Sequence, residues 1–305
     1  MGDTTDMETA GKRADIRIAI ASGKGGTGKT LVSTNIFHVL KENSCNTTLV
    51  DCDAEEPNDL FFFETQEIER KEVNQKVPVI DTEKCTYCGL CNEYCNYNAI
   101  FILPPVKVIK VIDELCHGCG ACSVACEYDA ISEKDVTLGK VGHHKTTSGY
   151  EIIEARMKVG VYSPVSVIQE AIREAGKEGV IILDSPPGTS CPFIHTVDAA
   201  DYVILVTEPT PFGLSDLKQT VETLRKMERK FGVIVNRAGL GDRKVYAYLK
   251  EEGIPLLMEI PYDREIALHY SRGDLIAGYR EDLKEELRSM VYKILKSHGD
   301  SCDKR

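Results

Sequence analysis

The stretch Ala21-Ser22-Gly23-Lys24-Gly25-Gly26-Thr27-Gly28-Lys29-Thr30 decides the fold. An apolar run, Ile16-Arg17-Ile18-Ala19-Ile20, precedes it and reads as a buried strand, while Leu31 to Lys41 follows and reads as a helix. Gly23, Gly28, Lys29 and Thr30 fit G-x-x-x-x-G-K-[ST] in the strand–loop–helix setting that this motif requires. The glycines let backbone N–H groups turn inward around a phosphate, and the helix start adds the positive end of its dipole. Lys29 brings a charge toward the β- and γ-phosphates and Thr30 a hydroxyl for Mg²⁺. Gly23, Lys24, Gly25, Gly26, Thr27, Gly28, Lys29 and Thr30 thus read as the wall of a nucleotide site.

Working outward, Thr47-Thr48-Leu49-Val50 reads as a second strand, ending in Asp51-Cys52-Asp53. An acidic, aromatic stretch and a charged connector follow as far as Lys76. After residue 150 strands and helices alternate. Ser163 to Lys177 suits a helix with Ser163 as its N-cap and Pro164 at its first position. Val180-Ile181-Ile182-Leu183 is continuous and apolar, as in a strand buried on both faces. Strands are expected at Tyr202–Thr207, Gly232–Asn236 and Pro255–Ile260, and helices at Ser215–Lys230 and Lys244–Glu252. Such alternation implies an α/β fold with a doubly wound, mostly parallel sheet. A last helix, 281–296, carries Leu283, Leu287, Met290, Val291, Ile294 and Leu295 on one stripe, with Glu and Lys mixed on its polar face. A membrane-surface helix is typically rich in Lys/Arg there, so packing on the sheet is expected.

The 305 residues suit one or two domains, and 42% hydrophobic with 28% charged residues is ordinary for a globular chain. A net charge of −11 lacks the basic footprint of a general nucleic-acid binder, and no apolar run approaches the roughly 20 residues of a membrane span. Residues 1–15 are polar and read as a disordered lead with no signal-peptide core, which places the protein in the cytoplasm by expectation. Neither membrane nor nucleic acid is expected as a partner. No Ser/His/Asp triad or HExxH run stands out, and His143-His144 reads as solvated loop.

Eight of twelve cysteines fall in two groups. Cys85-x-x-Cys88-Gly-x-Cys91-x-x-x-Cys95-x-Tyr97-x-Ala99-Ile100 returns 31 residues later as Cys116-x-x-Cys119-Gly-x-Cys122-x-x-x-Cys126-x-Tyr128-x-Ala130-Ile131. C-x₂-C-x₂-C-x₃-C is the bacterial ferredoxin run, in which three close cysteines grip one [4Fe–4S] cube and the fourth serves the other cluster. By that pattern Cys85, Cys88, Cys91 and Cys126 hold one cluster, and Cys95, Cys116, Cys119 and Cys122 the other. Zinc explains neither the fourth cysteine of each run nor the hydrophobic repeat. The run normally continues into proline, where this chain has Asn96 and Glu127, so an extra N–H···S contact is expected at each place.

The run K-G-G-T-G-K-T resembles the deviant P-loop of the MinD/ParA/nitrogenase-iron-protein ATPases. The resemblance covers about 16–75 and 150–280. It implies an ATP/ADP site with Mg²⁺, in which Lys24 crosses a dimer to the partner's nucleotide. Asp51-Cys52-Asp53 resembles the D-x-D of switch I: Asp51 would meet the Mg²⁺ shell and Asp53 orient or deprotonate the attacking water. Asp184-Ser185-Pro186-Pro187-Gly188 resembles switch II, with Asp184 assisting Mg²⁺ and the Gly188 N–H sensing the γ-phosphate. Asn236 and Arg237 resemble the base-recognition element. On this resemblance Lys24, Lys29 and Asp53 are the catalytic set, and Thr30, Asp51 and Asp184 the Mg²⁺ set. Cys191 stands at the offset where the nitrogenase iron protein carries an interfacial cluster ligand. No second cysteine accompanies it, which favours a small buried residue.

The expected organisation is an ATPase domain from 16–76 and 150–298, interrupted by a two-cluster ferredoxin domain over 77–149. Its core is 77–132, and 133–149 form a loop-rich return linker. The expected function is a dimeric ATP switch, homodimeric or paired with a related ATPase, that controls an electron relay or the handling of an iron–sulfur or metal cofactor for a redox or client protein. A spatial regulator like MinD/ParA with structural or redox-sensing clusters, and a cluster-assembly scaffold or carrier, are the alternatives.

Overall fold

A computed structural model describes residues 15–43 and 45–302. The expected disordered lead, apart from Asp15, lies outside the described residues. The chain enters as β1 (Ile16–Ala21), turns through the glycine loop into α1 (Lys29–Glu42) and returns as β2 (Thr47–Asp51). A 16-residue strand, β3 (Thr65–Ile80), leads away to α2 (Leu90–Glu93), β4 (Ile100–Leu103), β5 (Val108–Val111) and α3 (Ala121–Val124). A second 16-residue strand, β6 (Ile131–Thr146), leads back into β7 (Glu151–Met157). The remainder alternates: α4 (Val165–Glu174), β8 (Val180–Asp184), α5 (Cys191–Asp198), β9 (Tyr202–Thr207), α6 (Pro211–Lys226), β10 (Phe231–Ala238), α7 (Lys244–Glu251), β11 (Leu256–Pro261), α8 (Arg264–Ser271) and α9 (Glu281–Cys302).

Nine strands make one sheet in the order β11-β10-β9-β1-β8-β2-β7-β6-β3. Seven run parallel, and β6 and β3 close one edge antiparallel. Alternate side chains of β1 explain how both faces are covered. Ala19 and Ala21 join the core under α4, α5, α6 and α7, while Ile18 and Ile20 join the core under α1, α8 and α9. The stripe Leu283, Leu287, Met290, Val291, Ile294 and Leu295 is buried in this second core, so α9 spends its apolar face on the sheet. At about 25 cal/mol per Å² of apolar surface, removing such a side chain from water is worth about 1.5–3 kcal/mol each.

Several expectations are corrected here. The charged connector and the return linker are both strands: β3 runs across the expected boundary at residue 76, and 131–146 is β6 rather than loop. The strand β7 was also not expected. His143 and His144 are buried, at 9% exposure each, because β6 lies between β3 and β7. His143 Nδ1 meets Glu151 at 2.8 Å, and burial pushes the His144 imidazole below its ordinary range.

The β3–β6 ribbon has two halves. Gly139 to Lys145 also pair with β7, so this half is part of the sheet. Beyond it, 74–80 and 131–137 pair only with each other, and the register slips between Val73 and Asn74, at the point of departure. An extra residue in one strand bends the pair and increases its twist. Lys71 pins the near half to α4 through Glu170 at 2.9 Å and Glu174 at 2.6 Å.

At the far end the sequence repeat is realised in backbone geometry. Left-handed residues recur at the offset of the cysteine runs: Tyr87 and Gly118, Gly89 and Gly120, Asn98 and Asp129. The hairpin β4–β5, where Ile100 faces Val111, has its counterpart in the ribbon tip, where Ile131 faces Ile80. Two equivalent hairpins and two equivalent single-turn helices therefore enclose the cysteines.

Candidate functional site

The glycine loop stands at the carboxyl end of β1, beside the ends of β8 and β9. Its shape is set by close approach. A Cβ on Gly23 would stand 2.7 Å from Asp216 Cβ, and one on Gly28 would meet Asn236 Nδ2 at 2.3 Å. Gly28 also has φ near +97°, which an L side chain resists. Ser22 Oγ donates to the Lys24 carbonyl at 2.6 Å, and Asn236 Nδ2 donates to the Thr27 carbonyl at 2.7 Å, tying the loop to β10.

Lys29 and Thr30 begin α1, where unpaired N–H groups and the dipole favour an anion. Lys29 is buried, and Thr30 Oγ1 donates to Asp184 Oδ2 at 2.7 Å. Asp184 and Asp51 end adjacent parallel strands and face each other in register. Asp51 Oδ1 accepts from the Asp53 N–H at 3.1 Å, and Oδ2 from the N–H groups of Asn58 at 2.7 Å and Asp59 at 3.0 Å. These bonds hold switch-like residues 51–59 in one turn.

Burial and mutual repulsion dominate the electrostatics of this pocket. Burial, then the Asp184 charge, lifts the Asp51 carboxyl well above its usual range. Burial also raises Asp184, opposed by Lys29 and by the Thr30 hydroxyl. Burial, opposed by Lys29, pushes Asp53 up to about 6. Asp184 Oδ1 has no hydrogen-bond partner. Carboxylates this buried are held in their charged form by a cation or metal, so Thr30, Asp51 and Asp184 could hold Mg²⁺ where the motif places it. Among the described residues no three His, Cys, Asp or Glu side chains close on a single ion directly. Mg²⁺ keeps several waters, and carboxylates commonly reach it through them.

Some expected contacts are spent inside the chain. The Gly188 N–H donates to the Ser22 carbonyl at 3.0 Å. Asn236 uses one amide N–H on the loop, while its Oδ1 accepts from the Arg237 N–H at 2.8 Å, leaving one N–H to meet a base. The Arg237 guanidinium pairs with Glu208, and Lys24 Nζ lies 3.3 Å from the same carboxylate. The sequence points to neither Asp59 nor Asp216. Asp59 opens a short turn and Asp216 lies within α6, each a single acid outside any motif. Cys191 is exposed at the first turn of α5 and is not the small buried residue expected.

The cysteines of the two runs line two cavities. One is lined by Cys85, Cys88, Cys91 and Cys126, with Ile80, Ile102 and Ile109 among its walls. The second is lined by Cys95, Cys116, Cys119 and Cys122 with Tyr97 and His117, whose rings stack at 3.8 Å. In each cavity the fourth cysteine comes from the other run. Among the described residues no three of these thiols converge on a single ion. N–H···S contacts run from Tyr87 to Cys85 at 3.4 Å, Ala99 to Cys95 at 3.3 Å and Gly118 to Cys116 at 3.4 Å. None of these three comes from Asn96 or Glu127, where the extra contacts were expected.

Comparison with known proteins bears on the sheet and loop. The model of the CobQ/CobB/MinD/ParA nucleotide binding domain matches residues 18–276. An uncharacterized protein of Methanocaldococcus jannaschii is 31% identical over 281 residues, which are 91% of this chain and 97% of the relative. The cell division ATPase MinD of Pyrococcus furiosus has a similar fold, with TM-score 0.54, 20% identity, and 92% of this chain and 100% of that one covered. A cytosolic Fe-S cluster assembly factor NUBP2 homolog of Monosiga brevicollis is 32% identical over 115 residues, 31% of this chain and 39% of the relative. Among the described residues no helix is long and apolar enough to cross a membrane.

Proposed function

Because the chain belongs to the CobQ/CobB/MinD/ParA nucleotide-binding family, we propose that it is an ATP-binding and hydrolysing switch whose nucleotide state controls two [4Fe–4S] clusters. The reading is carried by one observation: two sets of four cysteines line two separate cavities, crossed between the runs, at the tip of a ribbon that grows out of the nucleotide sheet. The segment holding them is an inserted ferredoxin-like domain. When bound, the clusters supply one-electron redox chemistry. The eight thiolates hold them, and the isoleucines around the first cavity limit access of water to it.

On the nucleotide side Lys29 neutralises the terminal phosphates, and Thr30, Asp184 and Asp51 position Mg²⁺. Asp53, half-buried beside Lys29, accepts the proton of the attacking water. Lys24 reaches the nucleotide of a partner, a second copy or a related ATPase. The ribbon leaves the chain just after residues 51–59 and re-enters at β7, beside β2. A rearrangement of 51–59 on γ-phosphate binding would therefore pass directly to the base of the ribbon.

The test is anaerobic reconstitution with an iron and sulfide count, followed by redox titration with ADP and with a non-hydrolysable ATP analogue. Eight irons per chain and a nucleotide-dependent potential are expected. Identical potentials in both states would exclude the coupling. A variant reading, in which clusters pass to a client protein, is favoured by the likeness to the assembly factor over 115 residues and by the exposed Cys191. More than eight irons per chain, with the excess lost in Cys191→Ser, is the result that reading requires.

A further inference from the structure

Asp59 is the least explained charge in the molecule. It opens the short turn Asp59–Phe62, is 0% exposed, and neither carboxylate oxygen has a hydrogen-bond partner. Its own N–H donates to Asp51 Oδ2 at 3.0 Å, which fixes the backbone against β2. The groups that face it come from several elements: Asp51 from β2, Asp184 from β8 and Ser33 from α1. Tyr270 from α8 lies near enough for the Asp59 and Asp184 charges to raise its hydroxyl, already raised mainly by burial, to about 12. No cation of the chain is among the leading influences on Asp59, whereas Lys29 acts on Asp184 and Asp53.

A fully buried carboxyl set against two other carboxyls, with Asp184 and the Ser33 hydroxyl as its near polar neighbours, is costly to charge unless something positive completes it. The opposite oxygen of the pocket, Asp184 Oδ1, is equally unpartnered. Side chains of two different elements thus present oxygens that no donor satisfies in good geometry.

We propose that Asp59 is a third carboxylate of the divalent-cation site, holding a metal-bound water. The proposal rests on the nucleotide–Mg²⁺ reading above. It assigns a role to a residue outside the phosphate loop, switch I and switch II signatures. The side chains do not converge on one ion directly, so Asp59 acts through water, as an octahedral Mg²⁺ that retains several waters allows. It is a positioning residue: it orients the hydrated ion that Thr30 and Asp184 anchor.

The test uses the full chain, ADP and Mn²⁺ as the probe, with free Mn²⁺ read by electron paramagnetic resonance. In Asp59→Asn, Mn²⁺ affinity in the presence of ADP falls roughly ten- to hundredfold, the usual effect of losing an outer partner of a metal. ADP affinity in EDTA stays at the wild-type value. Asp59→Glu, which keeps the charge on a longer stem, recovers part of the Mn²⁺ affinity. Without metal, Asp59→Asn melts no lower than wild type, since it removes a repulsion. Equal Mn²⁺ binding by wild type, Asn and Glu overturns the proposal and leaves Asp59 as a neutral acid paired with Asp184. So does an Asn variant that fails to fold without metal. Wild type that binds ADP but no Mn²⁺ overturns both this proposal and the reading beneath it, which separates the two failures.

Discussion

Lys24 Nζ lies 3.3 Å from Glu208 Oε2, so the loop lysine that would serve a partner's nucleotide is held by an acid of its own chain. Glu208 is nearly buried and shared with Arg237, whereas Lys24 is one-third exposed. Leaving Glu208 costs Lys24 little, because Arg237 remains to pair the carboxylate and the ammonium can hydrate; such a partly exposed pair is worth about 1 kcal/mol or less. Glu208→Gln therefore strengthens ATP-dependent self-association about two- to fivefold, whereas Lys24→Ala abolishes it. Sedimentation velocity with a non-hydrolysable ATP analogue measures both; weaker association in Glu208→Gln would contradict the holding role.

Gly28→Ala meets two obstacles, the left-handed backbone and Asn236 Nδ2 at 2.3 Å. A nucleotide affinity loss of at least about a hundredfold is expected, along with about 1–3 kcal/mol of strain. Adding Asn236→Ala removes the collision but not the strain, so the double variant recovers only part of the loss. Fluorescent-ADP titration of the single and double variants checks this. Full recovery would show that the backbone carries no penalty.

Cluster loading should follow the crossed pattern. Cys126→Ser, although it lies in the second run, should damage the same cluster as Cys85→Ser. Cys95→Ser should match Cys116→Ser. Iron analysis and low-temperature spectra of the four variants decide it: two spectral pairs, each retaining about half the iron, are expected. Pairing by run, Cys85 with Cys95, would show uncrossed ligation.

The metal-free pocket gives a pH dependence of unusual sign. Asp53 titrates at about 6 in the folded chain against ~3.9 unfolded. Between those values the folded chain holds a proton that the unfolded chain has released. The stability this group contributes is complete below pH ~4 and lost as pH rises through ~6. Asp51, Asp59 and Asp184 shift in the same direction. In EDTA, the melting temperature of Asp53→Asn should gain a few degrees on wild type between pH 4 and 7. Mg²⁺ with ADP should close that gap. A gap independent of pH would mean that the Asp53 carboxyl is not strained by burial.

The phosphate loop and the cysteine runs were legible because each is local: spacing alone dictates what those residues can surround. The sheet strands β1, β8 and β9 were legible because burial on both faces leaves an unbroken apolar run. What stayed hidden depends on partners far along the chain. The strand β3 carries Glu67, Glu69, Arg70, Lys71 and Glu72 because it is an edge with exposed faces, and only pairing with β6, some sixty residues later, makes it a strand. His143 and His144 look solvated by composition and become buried once β6 is flanked on both sides. Asp59 has no spacing signature at all. Its meaning arises only when β2 and β8 set Asp51 and Asp184 beside it.

The slipped register between Val73 and Asn74 gives the ribbon a pivot. Some seven residue pairs extend past it, an arm of about 24 Å at about 3.4 Å per residue. A swing of only about 10° at that point carries the cysteine end through about 4 Å, by the geometry of such an arm. Under the proposed coupling, the bulge would turn a small rearrangement beside β2 into a displacement large enough to present or withdraw a surface, a mechanical gain between the two ends of the ribbon.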